Sequence, residues 1–105
     1  MINFIKNIFS TRPKVNLHEL IRNGALIIDV RTKEEYNGGH IKGSVNIPLD
    51  KLKNHIPKLT KNLPIITCCA SGMRSASAKS ILKSNGFSQV HNGGGWMSLK
   101  NISGK

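Results

Sequence analysis

Two cysteines stand side by side at Cys68 and Cys69, and the residues that follow, Ala70-Ser71-Gly72-Met73-Arg74-Ser75, are of the kinds that build an anion-holding turn. Ile65-Ile66-Thr67 before them is apolar and β-branched and reads as a buried strand, while the small-residue stretch from Ala76 to Leu82 reads as a helix. A loop between such elements turns several backbone N–H groups inward and gains the positive end of the helix dipole. A thiol held there ionises below its free pKa of about 8.5 and becomes a nucleophile at neutral pH. Successive strand residues point to opposite faces, so one thiol faces the loop and the other the core. Cys69 is the favoured nucleophile, because Gly72, Arg74 and Ser75 follow it in an order that makes a nest, Gly72 being free to take a positive φ. Ser75 then begins the helix with its hydroxyl free to cap it. The competing reading has both cysteines as small core residues.

Other residues with chemical potential are weaker. Arg74 closes the loop, where a guanidinium either holds an oxyanion or fixes the loop through a carboxylate, and the sequence favours neither. Asp29 and Arg31 flank the end of another strand, where a cap and an ion pair with Glu34 or Glu35 are favoured over substrate contact. His18, His40, His55 and His91 are dispersed without metal-ligand spacing, so neither a metal site nor a cofactor is expected. No histidine adjoins the cysteines as a base, although the fold could bring one there.

These residues need a scaffold, and the hydropathy pattern supplies one. Residues 1–13 carry apolar side chains at 1, 2, 4, 5, 8 and 9, one side of a helical wheel, and Arg12-Pro13 ends the pattern. This amphipathic helix is expected to pack on the domain formed by residues 14–105; membrane contact through residues 1–12 is the less favoured alternative, the run being too short to span. Val15 is a candidate short first strand, and Asn16 a candidate N-cap for a helix over 17–23 that stops at Gly24. Residues 25–30 form a near-continuous apolar strand, of the kind covered on both faces in a parallel sheet. A short helix over 32–36, a strand over 44–48 ended by Pro48, and a helix from Leu49 to about His55 follow. After the Ile65 strand come a helix over 75–85, a strand over 87–91, and a last helix over 96–102 entered through Gly93-Gly94-Gly95. Strands alternating with helices define an α/β domain with a parallel sheet.

A chain of 105 residues holds one domain and buries a core without disulfides. Adjacent cysteines and the lack of a secretory signal point to a reducing, cytoplasmic setting. The 16 Lys+Arg against 5 Asp+Glu, net +11, attract anions and acidic partners. The lysines are scattered and the aromatic residues few, so nucleic acid is not an expected partner.

Taken together, several stretches carry a resemblance: Asp29-Val30-Arg31, Glu35-Tyr36, Gly39-His40-Ile41, Gly43-Ser44-Val45-Asn46-Ile47-Pro48, Cys69-x-x-Gly72-x-Arg74-Ser75, and Gly86-Phe87 leading to Gly93-Gly94-Gly95-Trp96. In that order they resemble a single-domain rhodanese, a thiosulfate sulfurtransferase homologue, from about Val15 to Leu99. The resemblance implies about five parallel strands with helices on both faces, and a Cys69 that carries sulfur as a persulfide. It implies that Ala70 to Arg74 hold that sulfur through their amides, and that Asp29, Arg31 and His40 are structural. The implied partners are a small anionic donor such as thiosulfate and a thiol, protein or cyanide acceptor. A persulfide carrier with little free turnover is the alternative. Cys68 departs from the family's usual aromatic or aliphatic residue, and Cys68 to Arg74 also spans the Cys-x5-Arg of related phosphatases and arsenate reductases, a less favoured reading because Gly72 to Ser75 register with Cys69.

Overall fold

Ile65–Cys69 is buried at all five positions. A computed structural model describes residues 15–104, in which this strand has a neighbour on each side; the expected N-terminal helix over 1–13 lies outside the described residues. In chain order the elements are α1 (Leu17–Arg22), β1 (Leu26–Asp29), α2 (Lys33–Asn37), β2 (Val45–Asn46), a 3-10 turn (Leu49–Lys51), α3 (Leu52–His55), a second 3-10 turn (Ile56–Lys58), β3 (Ile65–Cys69), α4 (Met73–Ser84), β4 (Val90–Gly95) and α5 (Trp96–Ser103). The sheet runs β2-β1-β3-β4 and every pairing is parallel, with Asp29 opposite Cys68 and Cys69 opposite Gly95. All strands therefore deliver their carboxyl ends to one edge, which in such sheets is where ligands bind.

Local chemistry explains the boundaries. Asn16 caps α1, accepting the Glu19 N–H at 3.0 Å. Thr32 and Glu35 form a reciprocal capping box at α2. Pro48 ends β2 and leads into the 3-10 turn, so the helix expected from Leu49 is a mixed 3-10 and α segment in which Leu52 is the buried residue.

Alternation in β1 and β3 divides the core in two. On one face Ile28, Val30, Ile65 and Cys69 pack with Leu52, Ala78, Leu82, Phe87 and Val90; on the other Ile27, Ile66 and Cys68 pack with Ile21, Ile41 and Leu99. Helices thus cover both faces, α3 and α4 on the first, α1 and α5 on the second. Each fully buried aliphatic side chain contributes about 1.5–3 kcal/mol of burial free energy.

Four strands are described, not about five. Val15 joins no strand and is 52% exposed, a lone apolar residue with no partner strand among the described residues. The last strand covers Val90–Gly95, not 87–91: Phe87 is drawn into the core, while the ladder continues through glycines, two of which, Gly93 and Gly95, stand where the space for a side chain is taken. A Cβ on Gly93 would lie 2.8–2.9 Å from Ile66, Leu99 and the Thr67 carbonyl, and one on Gly95 would lie 2.9 Å from the Ala70 carbonyl.

Candidate active site

Between the end of β3 and the start of α4 lie only Ala70, Ser71 and Gly72. Gly72 occupies the N-cap position of α4 with φ +106°, in the left-handed region that favours glycine, and makes no side-chain cap bond. The amides that such a helix start leaves open turn to sulfur instead. Gly72 N–H donates to Cys69 Sγ at 3.0 Å and Ser75 N–H donates to it at 3.3 Å. Cys69 does the work of a capping oxygen for a 12-residue helix, whose dipole favours negative charge there.

The helix starts two residues earlier than expected, and Ser75 is its third residue, fully buried rather than a free cap. Its hydroxyl stands 3.5 Å from Cys69 Sγ, 3.0 Å from the Gly72 carbonyl and 2.6 Å from Asn92 Oδ1. The hydroxyl proton has two acceptors, the Gly72 carbonyl and Asn92 Oδ1, while the thiol is protonated, and gains the sulfur as a third when it ionises. With the thiol protonated, S–H donates to the hydroxyl and the hydroxyl to Asn92; with a thiolate the hydroxyl can turn to the sulfur, since Asn92 Oδ1 also accepts the Gly94 N–H at 2.9 Å. Asn92 Nδ2 donates to the Gly72 carbonyl at 3.2 Å, tying β4 to the loop. Burial pushes the Cys69 thiol up, but the Ser75 hydroxyl and the amides of Ser75, Gly72 and Ser71 outweigh it and hold the pKa below the ordinary thiol value.

Cys68 is on the opposite face, among Ile21, Ile27, Ile41, Ile66 and Leu99. Burial, and then the negative charge of Asp29, push its thiol up to about 12. A neutral thiol on the far side of the sheet cannot share the loop, which contradicts a Cys-x5-Arg site built on Cys68. The expectation that one sulfur faces the loop and the other the core fits the side chains, although Cys69 too is only 1% exposed. The loop residues Ala70, Ser71 and Met73 above it are exposed.

Arg74 resolves in favour of a carboxylate. Its Nη1 and Nη2 donate to Glu35 Oε1 and Oε2 at 2.7 and 3.0 Å. Glu35 Oε1 also accepts from Thr32 N–H at 3.0 Å and the Thr32 hydroxyl at 3.1 Å, so one carboxylate caps α2 and clamps the loop. Arg74 first, then the Thr32 amide, lowers the Glu35 pKa to about 2. Arg31 does not pair with the Glu34 or Glu35 carboxylate as expected; it takes Asp29, two residues away across a tight turn, with Nε and Nη2 donating at 3.0 and 2.7 Å. It also donates to the Glu35 and Gly39 carbonyls at 3.3 and 2.7 Å and lies 4.5 Å from the Trp96 ring centroid, joining α2, the turn that follows it and α5 to the end of β1. His40 is exposed and stacks on Tyr36 at 3.8 Å, on α2 and away from the sulfur ring.

Asn92 and the pairing of Glu35 with Arg74 went unread in the sequence. The spacing Asn92-x-Gly94 is a turn signal that could have pointed to the first. Among the described residues no His, Cys, Asp or Glu cluster could hold a metal ion, and no helix is long and apolar enough to cross a membrane.

A parallel sheet with helices on both faces, holding a thiol inside a strand-to-helix ring, defines a class of small α/β domains with a cysteine at the carboxyl edge of the sheet. The chain belongs to the Rhodanese-like domain family, which it matches over residues 14–101. It is 40% identical over 77 residues to the thiosulfate sulfurtransferase PspE of Escherichia coli, a match that covers 71% of each chain. It is 38% identical over 68 residues to the uncharacterized protein YqhL of Bacillus subtilis, covering 65% of this chain and about half (54%) of that protein's length. A solved Escherichia coli structure described as a rhodanese with anions superimposes with a TM-score of 0.66 and 37% identity, over 70% of this chain and 89% of that one.

Proposed function

We propose that the protein is a sulfurtransferase that moves sulfane sulfur through a persulfide on Cys69. The Cys69 thiolate attacks the outer sulfur of thiosulfate or a similar donor, the S–S bond of the donor breaks, and sulfite leaves with the electron pair. A thiol, a protein thiol or cyanide then attacks the outer persulfide sulfur and returns the electron pair to Cys69. Ala70 to Arg74 and Ser75 form the ring that holds the persulfide charge; Asp29, Arg31 and His40 support the frame. The observation that carries the reading is the convergence of the Gly72 and Ser75 amides on Cys69 Sγ at 3.0 and 3.3 Å. Preorganised donors of this kind are worth about 3 kcal/mol each in a transition state. The excess of positive charge raises the local concentration of anionic donors.

Residues 14–105 act as the rhodanese-like domain, with the segment 1–13 ahead of it, and two free thiols suit a reducing cytoplasm. The test is thiosulfate:cyanide sulfur transfer by the wild type, Cys68→Ser and Cys69→Ser. Turnover by the first two and none by the third is expected; full activity in Cys69→Ser refutes the assignment. A persulfide that forms without cyanide turnover identifies a carrier instead.

A further inference from the structure

From Lys51 onward the chain has no Asp or Glu; its five carboxylates all lie between Glu19 and Asp50. The carboxylate-free half carries nine Lys and Arg, of which Arg74 reaches back to Glu35. Both α4 and β4 belong to that half. Where they meet, a hollow of ≈ 250 Å³ is walled by Lys79 of α4, His91 and Asn92 of β4, and Val15 and Leu17 from the other side.

Positive charge gathers at this hollow without an answer. Lys79 and Lys83 are one helical turn apart, so they share a side of α4 and repel one another. Burial first, and then the charges of Lys79 and Lys83, hold His91 below the ordinary imidazole pKa. No wall of the hollow is a carboxylate, and Glu19, the acidic residue of α1, is not among the walls. Among the described residues neither lysine has an ion pair, and neither ring nitrogen of His91 has a hydrogen-bond partner. Lys79 and His91 are both half-buried, which reduces the screening of their charge by water.

The shape fits an anion of several oxygens. At about 30 Å³ per water molecule, the hollow admits a four-oxygen ion with water beside it. Asn92 gives it a fixed wall, held by the Gly72 carbonyl, the Ser75 hydroxyl and the Gly94 N–H. Lys79 and His91 stand on separate elements, so one ion meets both only if it offers more than one acceptor atom, and a second negative charge strengthens each contact. We propose that this hollow binds a small divalent oxyanion of the phosphate or sulfate class, held by Lys79 and His91 and distinct from the ring around Cys69.

The test titrates isotope-labelled protein with inorganic phosphate and with sulfate at pH 7.5, ionic strength being held constant with sodium chloride. Saturable shifts at the Lys79, His91 and Asn92 amides and at the His91 ring are expected with both ions; shifts no larger than those in chloride alone overturn the site. Lys79→Gln is expected to weaken binding about three- to five-fold, the size of one partly exposed charge contact. Lys53→Gln, on α3 and outside the hollow, is expected to leave binding unchanged. An unaltered affinity in Lys79→Gln, or an equal loss in Lys53→Gln, shows attraction by overall charge and overturns the proposal. Cys69→Ser is expected to bind as the wild type does, and loss of binding there assigns the ion to the thiol ring and overturns it too. Adenosine monophosphate separates the sources of the anion. Shifts at the same three residues identify a phosphate ester as a ligand of the site, and shifts with the inorganic ions alone identify the free ion.

Discussion

Ser75→Ala removes one oxygen from the buried network and leaves the backbone ring in place. In the wild type the hydroxyl is 3.5 Å from Cys69 Sγ and is the foremost of the groups that lower its pKa. A hydrogen bond to an ionised acceptor contributes about 1.5–3 kcal/mol, and this long contact belongs at the lower end. Losing about 1.5 kcal/mol of thiolate stabilisation lowers the thiolate-to-thiol ratio roughly tenfold at a fixed pH on the rising limb. Folding suffers less. The Gly72 carbonyl keeps the Asn92 side chain and the Ala76 N–H, and Asn92 Oδ1 keeps the Gly94 N–H, so stability falls by about 1 kcal/mol. The assay is the rate of iodoacetamide alkylation against pH; Cys68, buried and pushed up to about 12, stays silent across the useful range. The midpoint is expected to move to higher pH in Ser75→Ala, with alkylation below it about tenfold slower than wild type and a native urea transition. A superimposable profile, or a shift to lower pH, refutes the role given to the hydroxyl.

Glu35→Gln removes the clamp on Arg74. Both partners are more than one-third exposed, so the loss in urea stability at pH 7 is held to about 0.5–1 kcal/mol by solvent screening. Because the folded Glu35 pKa is lowered to about 2, its contribution is present above the ordinary carboxylate value and is lost as pH falls towards 2. The stability difference between wild type and variant should therefore narrow between pH 5 and pH 2, as read by urea titrations at each pH, within about that interval. Asp29→Asn leaves the Arg31 guanidinium buried without its counter-charge and should cost about 3–5 kcal/mol in the same assay. Gly93→Ala forces a methyl against Ile66, Leu99 and the Thr67 carbonyl, and should cost about 1–3 kcal/mol with the Cys69 alkylation profile retained.

The loop was legible because its signal is local. A β-branched run, a glycine at the turn and small residues after it place Cys69 at a helix N-terminus whatever surrounds them. Strand alternation likewise separated Cys68 from Cys69 before any contact was known. What escaped was set by contacts between segments distant in sequence. Glu35 meets Arg74 across 39 positions, and Asn92 reaches Ser75 across 17; no short-range pattern encodes either pairing. The extent of β4 was misread for the opposite reason. Gly93-Gly94-Gly95 is locally a loop signature, yet Ile66 and Leu99 at Gly93 and the Ala70 carbonyl at Gly95 occupy the space a side chain would need, and tertiary crowding makes glycine the strand residue at those two positions. Arg31 shows the same limit at short range: Glu34 and Glu35 lie within helical reach, but the buried Asp29 carboxylate forms the tighter, bidentate pair.

The most direct measurement is the intact mass of wild type, Cys68→Ser and Cys69→Ser after incubation with thiosulfate and removal of free sulfite. The first two are expected to gain one sulfur atom that cyanide discharges, and Cys69→Ser to gain none. A sulfur adduct retained by Cys69→Ser, or lost in Cys68→Ser, would contradict the assignment to Cys69.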